Sequence, residues 1–468
     1  MDTIWPETLG KASGPKYKIV SDTIRKAVDQ GALETGAKLP PVRELAYRLS
    51  ITPGTVARAY TVLTEEGVLQ AEVGRGTFVA DPVKPTPDDV WARQLDLTGG
   101  KPGNMVSLFS PRLPDVGQVS ALREALVKVA ETTDPHDFLN YPTRSAYRAT
   151  RQAAVDWLSD LPLGSLTDRD LVLTHGGQNG LLVTLQTILY GPNPVVLVED
   201  LSYAGFRRAA DLLRAQVVGV EMDEQGIIPE SLEMMARRTR AQVVCTSPEV
   251  HNPTGAHTPL ARRKEIVDVA RRLDLQIVED DCYRVGEARA PSYRALAPER
   301  GWHVSSISKT LTPALRVGFA IAPQDKGPDL RRTAEHGYFG LAQPLKELVF
   351  VLLTDPRTRQ LARDVQAVIE EYVRVAVNML GAFDLVWDAK VPFVWLHLPP
   401  GWRAAAFTRA AEAEGVQIRS ADEFALRDGR APHAVRIAIN GQVPISVFED
   451  AMQRLRALLD NPPEQISV

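Results

Sequence analysis

Between residues 171 and 322, short apolar runs alternate with stretches of helical period, and this alternation restricts the fold more than any other feature of the chain. Runs at 171–174, 195–198, 216–220, 243–246, 276–278, 304–307 and 318–322 read as strands. Helical patterns such as 181–190 and 263–273 lie between most of them. That order builds an α/β unit with a mostly parallel sheet, whose ligands gather at the carboxyl ends of its strands. The chain's 468 residues exceed one ordinary domain and predict two or three. A 44% hydrophobic content supplies ample core.

Candidate chemistry falls at those strand ends. Lys309 stands in Ser306-Ile307-Ser308-Lys309, with Arg316 seven positions on. A lysine that forms a Schiff base needs an amine able to lose its proton, and hydroxyls beside an arginine suit a phosphate held next to it. Thr174-His175-Gly176-Gly177-Gln178 joins a strand to a helix, where backbone N–H groups can face an anion. Tyr203 follows Glu199-Asp200 and could lie over a planar ring. Asn252, in His251-Asn252-Pro253-Thr254-Gly255, is placed to donate to a ring oxygen. Asp280, in Glu279-Asp280-Asp281-Cys282-Tyr283, offers a carboxylate that can pair with a pyridinium nitrogen. Each piece alone also reads as an ordinary turn, a packed tyrosine, a capping acid or a solvated lysine.

The first eighty residues have a different texture. Val20, Ile24, Ala27 and Val28 form one apolar helical face; Val42, Leu45, Ala46 and Leu49 form a second; Val56, Ala59, Tyr60 and Leu63 form a third. Only Ser50-Ile51-Thr52 separates the second from the third, with Thr52 placed to cap and Pro53 at the first helical position. Val68-Leu69, Gly74-Arg75-Gly76 and Thr77-Phe78-Val79 read as two strands about a glycine turn, a wing. Ten Lys/Arg against nine Asp/Glu in this segment, within a chain of net charge −4, confine any nucleic-acid contact to a local patch. Asp81-Pro82-Val83-Lys84-Pro85-Thr86-Pro87 alternates proline with other residues and makes a semi-rigid spacer. Three regions are therefore expected: a head at 1–80, a linker and approach segment at 81–105, and a body at 106–468.

Leu39-Pro40-Pro41-Val42-Arg43-Glu44-Leu45-Ala46, Thr55-Val56-Ala57-Arg58-Ala59-Tyr60 and Gly74-Arg75-Gly76-Thr77-Phe78-Val79 together resemble the winged helix-turn-helix of GntR-type bacterial regulators. The resemblance implies that Arg43, Thr52, Thr55, Arg58, Gly74 and Arg75 meet double-stranded DNA. It departs where Pro53 and Ala57 occupy positions that often carry arginine. The strand-end constellation, in its order, resembles the fold-type I aminotransferases over roughly 140–440, with a smaller C-terminal α+β subdomain at about 340–468. By that resemblance the cofactor is pyridoxal 5′-phosphate and Lys309 is the Schiff-base lysine. Asp280 pairs with the ring nitrogen, Asn252 and Tyr283 bond the ring hydroxyl, and Tyr203 stacks. Gly177, Gln178, Ser306, Ser308 and Arg316 hold the phosphate. Arg436, in Val435-Arg436-Ile437-Ala438, clamps an effector carboxylate. Tyr141 reaches the cofactor phosphate of a partner subunit, which implies a homodimer with shared sites. The chain lacks the glycine usual shortly after that tyrosine, and Leu201 replaces a usual proline.

Head and body together resemble the MocR subfamily of GntR-type transcriptional regulators. The function so implied is a regulator, with little or no turnover, in which an amine or amino-acid effector forms an external aldimine and alters promoter binding. A catalytically active aminotransferase with an accessory head, and a regulator sensing the cofactor itself, are the alternatives. Cys245 and Cys282 imply no disulfide framework. The start Met1-Asp2-Thr3-Ile4 lacks the basic and apolar regions of a signal peptide. No apolar run approaches the roughly 18 residues of a membrane span. A soluble cytoplasmic protein with no metal site is expected.

Overall fold

The computed structural model describes residues 15–79 and 105–462, apart from 30, 35, 66, 67, 73–75, 142, 144, 427, 428 and 430. Contacts divide the chain into two compact units, Met1–Gly99 and Gly100–Val468.

In the first unit, α1 (Lys16–Asp29), α2 (Val42–Arg48) and α3 (Pro53–Glu65) precede an antiparallel pair, β1 (Leu69–Glu72) and β2 (Gly76–Val79). The predicted faces form its core: Val20, Ile24, Leu45, Val56, Ala59 and Leu63 are all buried. Ser50 takes a left-handed φ of 51° and turns the chain sharply between α2 and α3. Tyr60 donates its hydroxyl to the Pro40 carbonyl at 2.9 Å, which pins α3 to the lead-in of α2.

The second unit starts with β3 (Val106–Ser107) and contains a seven-stranded sheet. Its strands are β4 (Leu171–Thr174), β5 (Val195–Glu199), β6 (Gln216–Val220), β9 (Val243–Thr246), β10 (Gln276–Asp280), β11 (Gly301–Ser306) and β12 (Gly318–Ile321); the small hairpin β7 (Met222–Asp223) and β8 (Gly226–Ile227) stands apart. The order is β4-β12-β11-β10-β9-β5-β6, and β12 alone runs against its neighbours. Alternating side chains serve opposite faces. Val196 and Val198 pack with Phe206 and Leu330, whereas Val195 and Leu197 pack with Leu232 and Ile266. Burial on both faces explains why these strands read as continuous apolar runs.

Strand bounds match the sequence expectation within three residues, with one difference that bears on the site: Asp280 is the last residue of β10 rather than a residue beyond it. The helix expected to begin near Gly177, with its apolar period over 181–190, spans Gly176–Ile188.

A second sheet, entirely antiparallel, has the order β13-β14-β17-β16: β13 (Leu385–Val386), β14 (Phe393–His397), β17 (Ala434–Ala438) and β16 (Arg419–Ser420). Helices Pro356–Leu380, Ala404–Ala413 and Ile445–Asp460 form its core with Val394, Leu396, Val435 and Ile437. β3 forms a separate two-stranded parallel pair with β15 (Val416–Gln417), and Val106 and Val416 join the same core. The C-terminal subdomain therefore includes residues that follow the linker directly, which a boundary at about 340 does not anticipate.

Gly301 opens β11 where a Cβ would fall inside the backbone of Tyr293 and Arg294. Gly301→Ala is expected to lower stability by about 1–3 kcal/mol through overpacking. A denaturant titration with an unchanged midpoint would show that the two segments separate freely.

Candidate functional site

The carboxyl ends of β4, β5, β9, β10 and β11 lie along one edge of the large sheet. Gly318, at the start of the antiparallel β12, pairs with both Thr174 and Ser306 and so brings the ends of β4 and β11 together. A Cβ on Gly318 would meet the Gly176 carbonyl carbon at 2.7 Å. Gly176 has a φ of 80°, and a side chain there would meet the Arg316 guanidinium at 2.8 Å. Arg316 itself takes a φ of 50°. Helix Gly176–Ile188 begins here without a capping side chain, so its N–H groups and positive dipole end stand beside Arg316. Ser306 Oγ accepts the Ser308 N–H at 3.4 Å, and the buried Ser308 hydroxyl has no partner of its own.

Asp280 is buried, and its Oδ1 accepts the Cys282 N–H at 3.1 Å. Burial pushes its carboxyl up to about 6, although that hydrogen bond opposes the shift. Glu199, at the end of β5, is pushed up to about 7, again chiefly by burial, while accepting a hydroxyl from Thr246. A cation beside Asp280 would restore the charged form.

Asn252 sits in a turn held by His251. The His251 ring meets the Leu201 carbonyl at 3.0 Å through Nε2 and Thr254 Oγ1 at 2.7 Å through Nδ1. Burial holds this imidazole down to about 4, so it stays neutral. Asn252 Oδ1 accepts from Arg436 Nη1 at 2.6 Å, while its Nδ2 is buried without a partner. Tyr203 donates its hydroxyl to Gln178 Oε1 at 3.0 Å, and Gln178 Nε2 donates to the Gly205 carbonyl at 2.9 Å. The Gln178 side chain therefore fixes Tyr203, leaving only its backbone N–H to face an anion. Any side chain on Gly205 would strike the Tyr203 ring, and one on Gly177 would strike Cys282 Sγ.

Lys309 lies in the turn after β11, with Nζ donating to the Pro111 carbonyl at 3.1 Å and standing 5.5 Å from the Tyr283 ring centroid. Burial alone would raise the Tyr283 phenol, but Lys309, Arg436 and Arg419 outweigh it and hold the phenol below its ordinary value. Phe393 meets the Tyr283 ring edge-on at 5.5 Å. Arg436, wholly buried in β17, also donates through Nη2 to the Phe109 carbonyl at 2.9 Å. Phe109, Pro111, Arg419 and Gly205 were not anticipated as part of this site. The first two contribute backbone oxygens, which no residue type announces, and the Phe109 ring also lies 3.8 Å from the Arg419 guanidinium. Tyr141 is 87% exposed, with its ring 6.2 Å from that of Phe339.

In the head, Arg43 and Thr52 are exposed, and the Thr52 and Thr55 hydroxyls lie 2.9 Å apart at the start of α3. The Arg58 guanidinium lies 4.3 Å from the Tyr17 ring centroid of α1. Gly74 and Arg75 lie outside the described residues.

Residues 109–455 match the family described as aminotransferase class I and II. The chain belongs to that family. Residues 16–79 match the bacterial regulatory proteins of the gntR family, so an aminotransferase body carries a GntR DNA-binding head, the arrangement of MocR-type regulators. An uncharacterised HTH-type transcriptional regulator of Bacillus subtilis, YdeF, is 26% identical over 98% of this chain and 97% of its own length. PtsJ of Salmonella typhimurium, a vitamin B6 salvage pathway transcriptional repressor, is 28% identical over 90% of this chain and 93% of its own. The crystal structure of an archaeal alanine:glyoxylate aminotransferase superposes with a TM-score of 0.68, covering 79% of this chain and 94% of that one at 22% identity.

Pyridoxal 5′-phosphate is the cofactor of such a body, and the residues present fit it. The uncapped helix beside Arg316 suits a phosphate, the unpartnered Asn252 Nδ2 a ring oxygen, and the buried carboxyl of Asp280 a protonated ring nitrogen. Among the described residues no helix is long and apolar enough to cross a membrane.

The fold favours protonated Asp280, so in cofactor-free protein its contribution to stability is lost as pH rises through about 6. The advantage of Asp280→Asn over the parent is expected to widen by about 1–2 kcal/mol between about pH 5 and about pH 8, as read from denaturant midpoints. A constant or narrowing gap would contradict this. For the head, Tyr17→Ala is expected to weaken promoter binding about two- to fivefold, with Tyr17→Phe binding like the parent. Equal binding by all three would remove the Tyr17–Arg58 pair from DNA recognition.

Proposed function

We propose that this chain is a cytoplasmic, homodimeric transcriptional regulator whose body binds an amine or amino-acid effector at Lys309 and thereby alters how the heads hold promoter DNA. The head at 1–80 is joined by a linker at 81–105 to the effector-binding body at 106–468. The observation that carries the reading is the placement of the Lys309 amine, 5.5 Å from the Tyr283 ring, in a chain whose residues 16–79 match the GntR family.

When bound, the cofactor supplies an aldehyde that condenses reversibly with primary amines. Lys309 provides the resident amine, which an incoming amine must displace. Asp280 would hold the ring nitrogen charged, and Asn252 and Tyr283 would hold the ring oxygen. Tyr203, locked by Gln178, would cover one face of the ring. The N–H groups of Gly177 and Gln178, with Ser306, Ser308 and Arg316, would hold the phosphate, joined by Tyr141 from the second subunit. Arg436 would receive an effector carboxylate. Arg43, Thr52, Thr55 and Arg58, with Gly74 and Arg75, would meet DNA.

An effector that replaces Lys309 changes the contacts between the two sheets of the body, since Arg436 reaches from β17 to Asn252 beyond β9. A ligand shifts a conformational equilibrium only by such differential contacts. The name of PtsJ favours a second reading, a regulator that answers to the cofactor itself.

Promoter binding measured with cofactor alone, and then with added amines, separates these readings. The effector reading expects cofactor-loaded protein to change its affinity only when an amine is present, and Lys309→Ala to lose both the absorbance and the response. A full response to cofactor alone would favour the second reading. Sustained transamination without any change in DNA binding would make the chain an enzyme.

A further inference from the structure

Lys346, the fourth residue of helix Gln343–Thr354, is only 3% exposed, and lysines are seldom buried unless paired. It also stands near the positive dipole end of a helix that no side chain caps, where a cation is disfavoured. Its Nζ donates to the Ala146 carbonyl at 3.2 Å and pairs with Glu347 Oε1 at 2.8 Å. The Tyr147 ring centroid lies 6.0 Å from the same nitrogen. One turn earlier, the buried Gln343 donates through Nε2 to that Glu347 oxygen and to Asp137 Oδ2, both at 3.1 Å. Gln343, Lys346 and Glu347 therefore hold residues 137 and 146, the two ends of the segment that carries Tyr141.

The approach to this helix is fixed as well. Tyr147 donates its hydroxyl to the Leu341 carbonyl, and a Cβ on Gly340 would meet that hydroxyl at 2.7 Å. Phe339 and Gly340 take left-handed φ values of 59° and 97°, and the exposed Phe339 ring stands beside that of Tyr141. Phe138 and Leu139 are exposed too. The anchors are thus buried while the residues between them meet solvent. Taking an ammonium out of water is costly, and a segment that only joined two helices would need no such anchor. It suits a segment whose exposed residue must keep a fixed position, because a hydrogen bond weakens steeply when its donor is displaced or tilted.

We propose that Lys346, aided by Gln343, is a positioning residue for the cofactor of the second subunit: it holds residues 137–146 so that the Tyr141 hydroxyl reaches the phosphate bound there. This rests on the reading of Tyr141 in a homodimer with shared sites.

Heterodimers separate this role from support of the subunit's own fold. Each pairs a variant chain with a Lys309→Ala chain, in which borohydride cannot fix cofactor at position 309. The one fixable site then belongs to the variant chain and takes its Tyr141 from the Lys309→Ala chain. The readout is the cofactor concentration that half-saturates borohydride-fixed adduct at Lys309. Homodimers of Tyr141→Phe, and of Lys346→Met, which keeps the side chain's bulk without its donor, are expected to need about tenfold more cofactor than the parent. Asp137→Ala, at an exposed residue, frees only one end and should need about two- to threefold more. Each heterodimer should return to within about twofold of the parent, since its fixable site receives an intact segment. A Lys346→Met homodimer that binds like the parent, or a Lys346→Met site that stays weak in the heterodimer, would overturn the assignment. If Lys346→Met fails to fold, the Asp137→Ala pair decides in the same way, with no weakening or no recovery overturning it. Tyr141→Phe that binds like the parent, or does not recover, fails the reading of Tyr141 and the proposal with it. Recovery of Tyr141→Phe without recovery of Lys346→Met strikes Lys346 alone.

Discussion

A wholly buried guanidinium holds the two sheets of the body to one another. Arg436 extends from β17 to the Asn252 amide at 2.6 Å, in the turn beyond β9 of the large sheet, and to the Phe109 carbonyl in the segment that enters the body. Taking such a charge out of water is costly, and burial accordingly depresses the arginine's own hold on its proton. Neutral oxygens offset that cost in part, while Phe393 and Phe424 flank the group at 5.3 and 5.0 Å. An arginine so placed couples anything that changes its partners to the relation between the two sheets.

The large sheet imposes the complementary constraint. Six strands that run in parallel present their carboxyl ends along one edge, and the single antiparallel strand, β12, returns through Gly318 to close β4 against β11. Chain crossings there are so tight that only glycine fits. Gly318 lies against Gly176, Gly177 against Cys282, and Gly205 against Tyr203 and Gln178. Those close approaches bring a helix N-terminus, a locked aromatic ring and a buried carboxyl around Lys309 without requiring any flexible loop to organise them.

Much of this was legible in the sequence, for physical reasons. Strands buried on both faces are uninterrupted apolar runs, so their ends, and the chemical residues at those ends, could be read from composition along the chain. The three helical faces of the head were equally clear, since Val20, Ile24, Leu45, Val56 and Leu63 recur at helical spacing and are buried as that spacing requires. Other features carry no signal of that kind. β3 has two residues and pairs with a strand over three hundred positions away, so nothing local marks it as part of the C-terminal subdomain. Phe109 and Pro111 act through carbonyls, which every residue has. Arg419 looks like any charged residue until register places it opposite Arg436. Arg58 was expected at DNA by resemblance, but nothing in the sequence announces its neighbour in space, Tyr17, more than forty residues earlier.

The account turns on one amino group. Borohydride reduction of the cofactor-loaded protein, followed by peptide mass mapping, tests it most directly. A single phosphopyridoxyl adduct on the peptide carrying Lys309 is the result the proposal predicts. An adduct on any other lysine, or none at saturating cofactor, would contradict it.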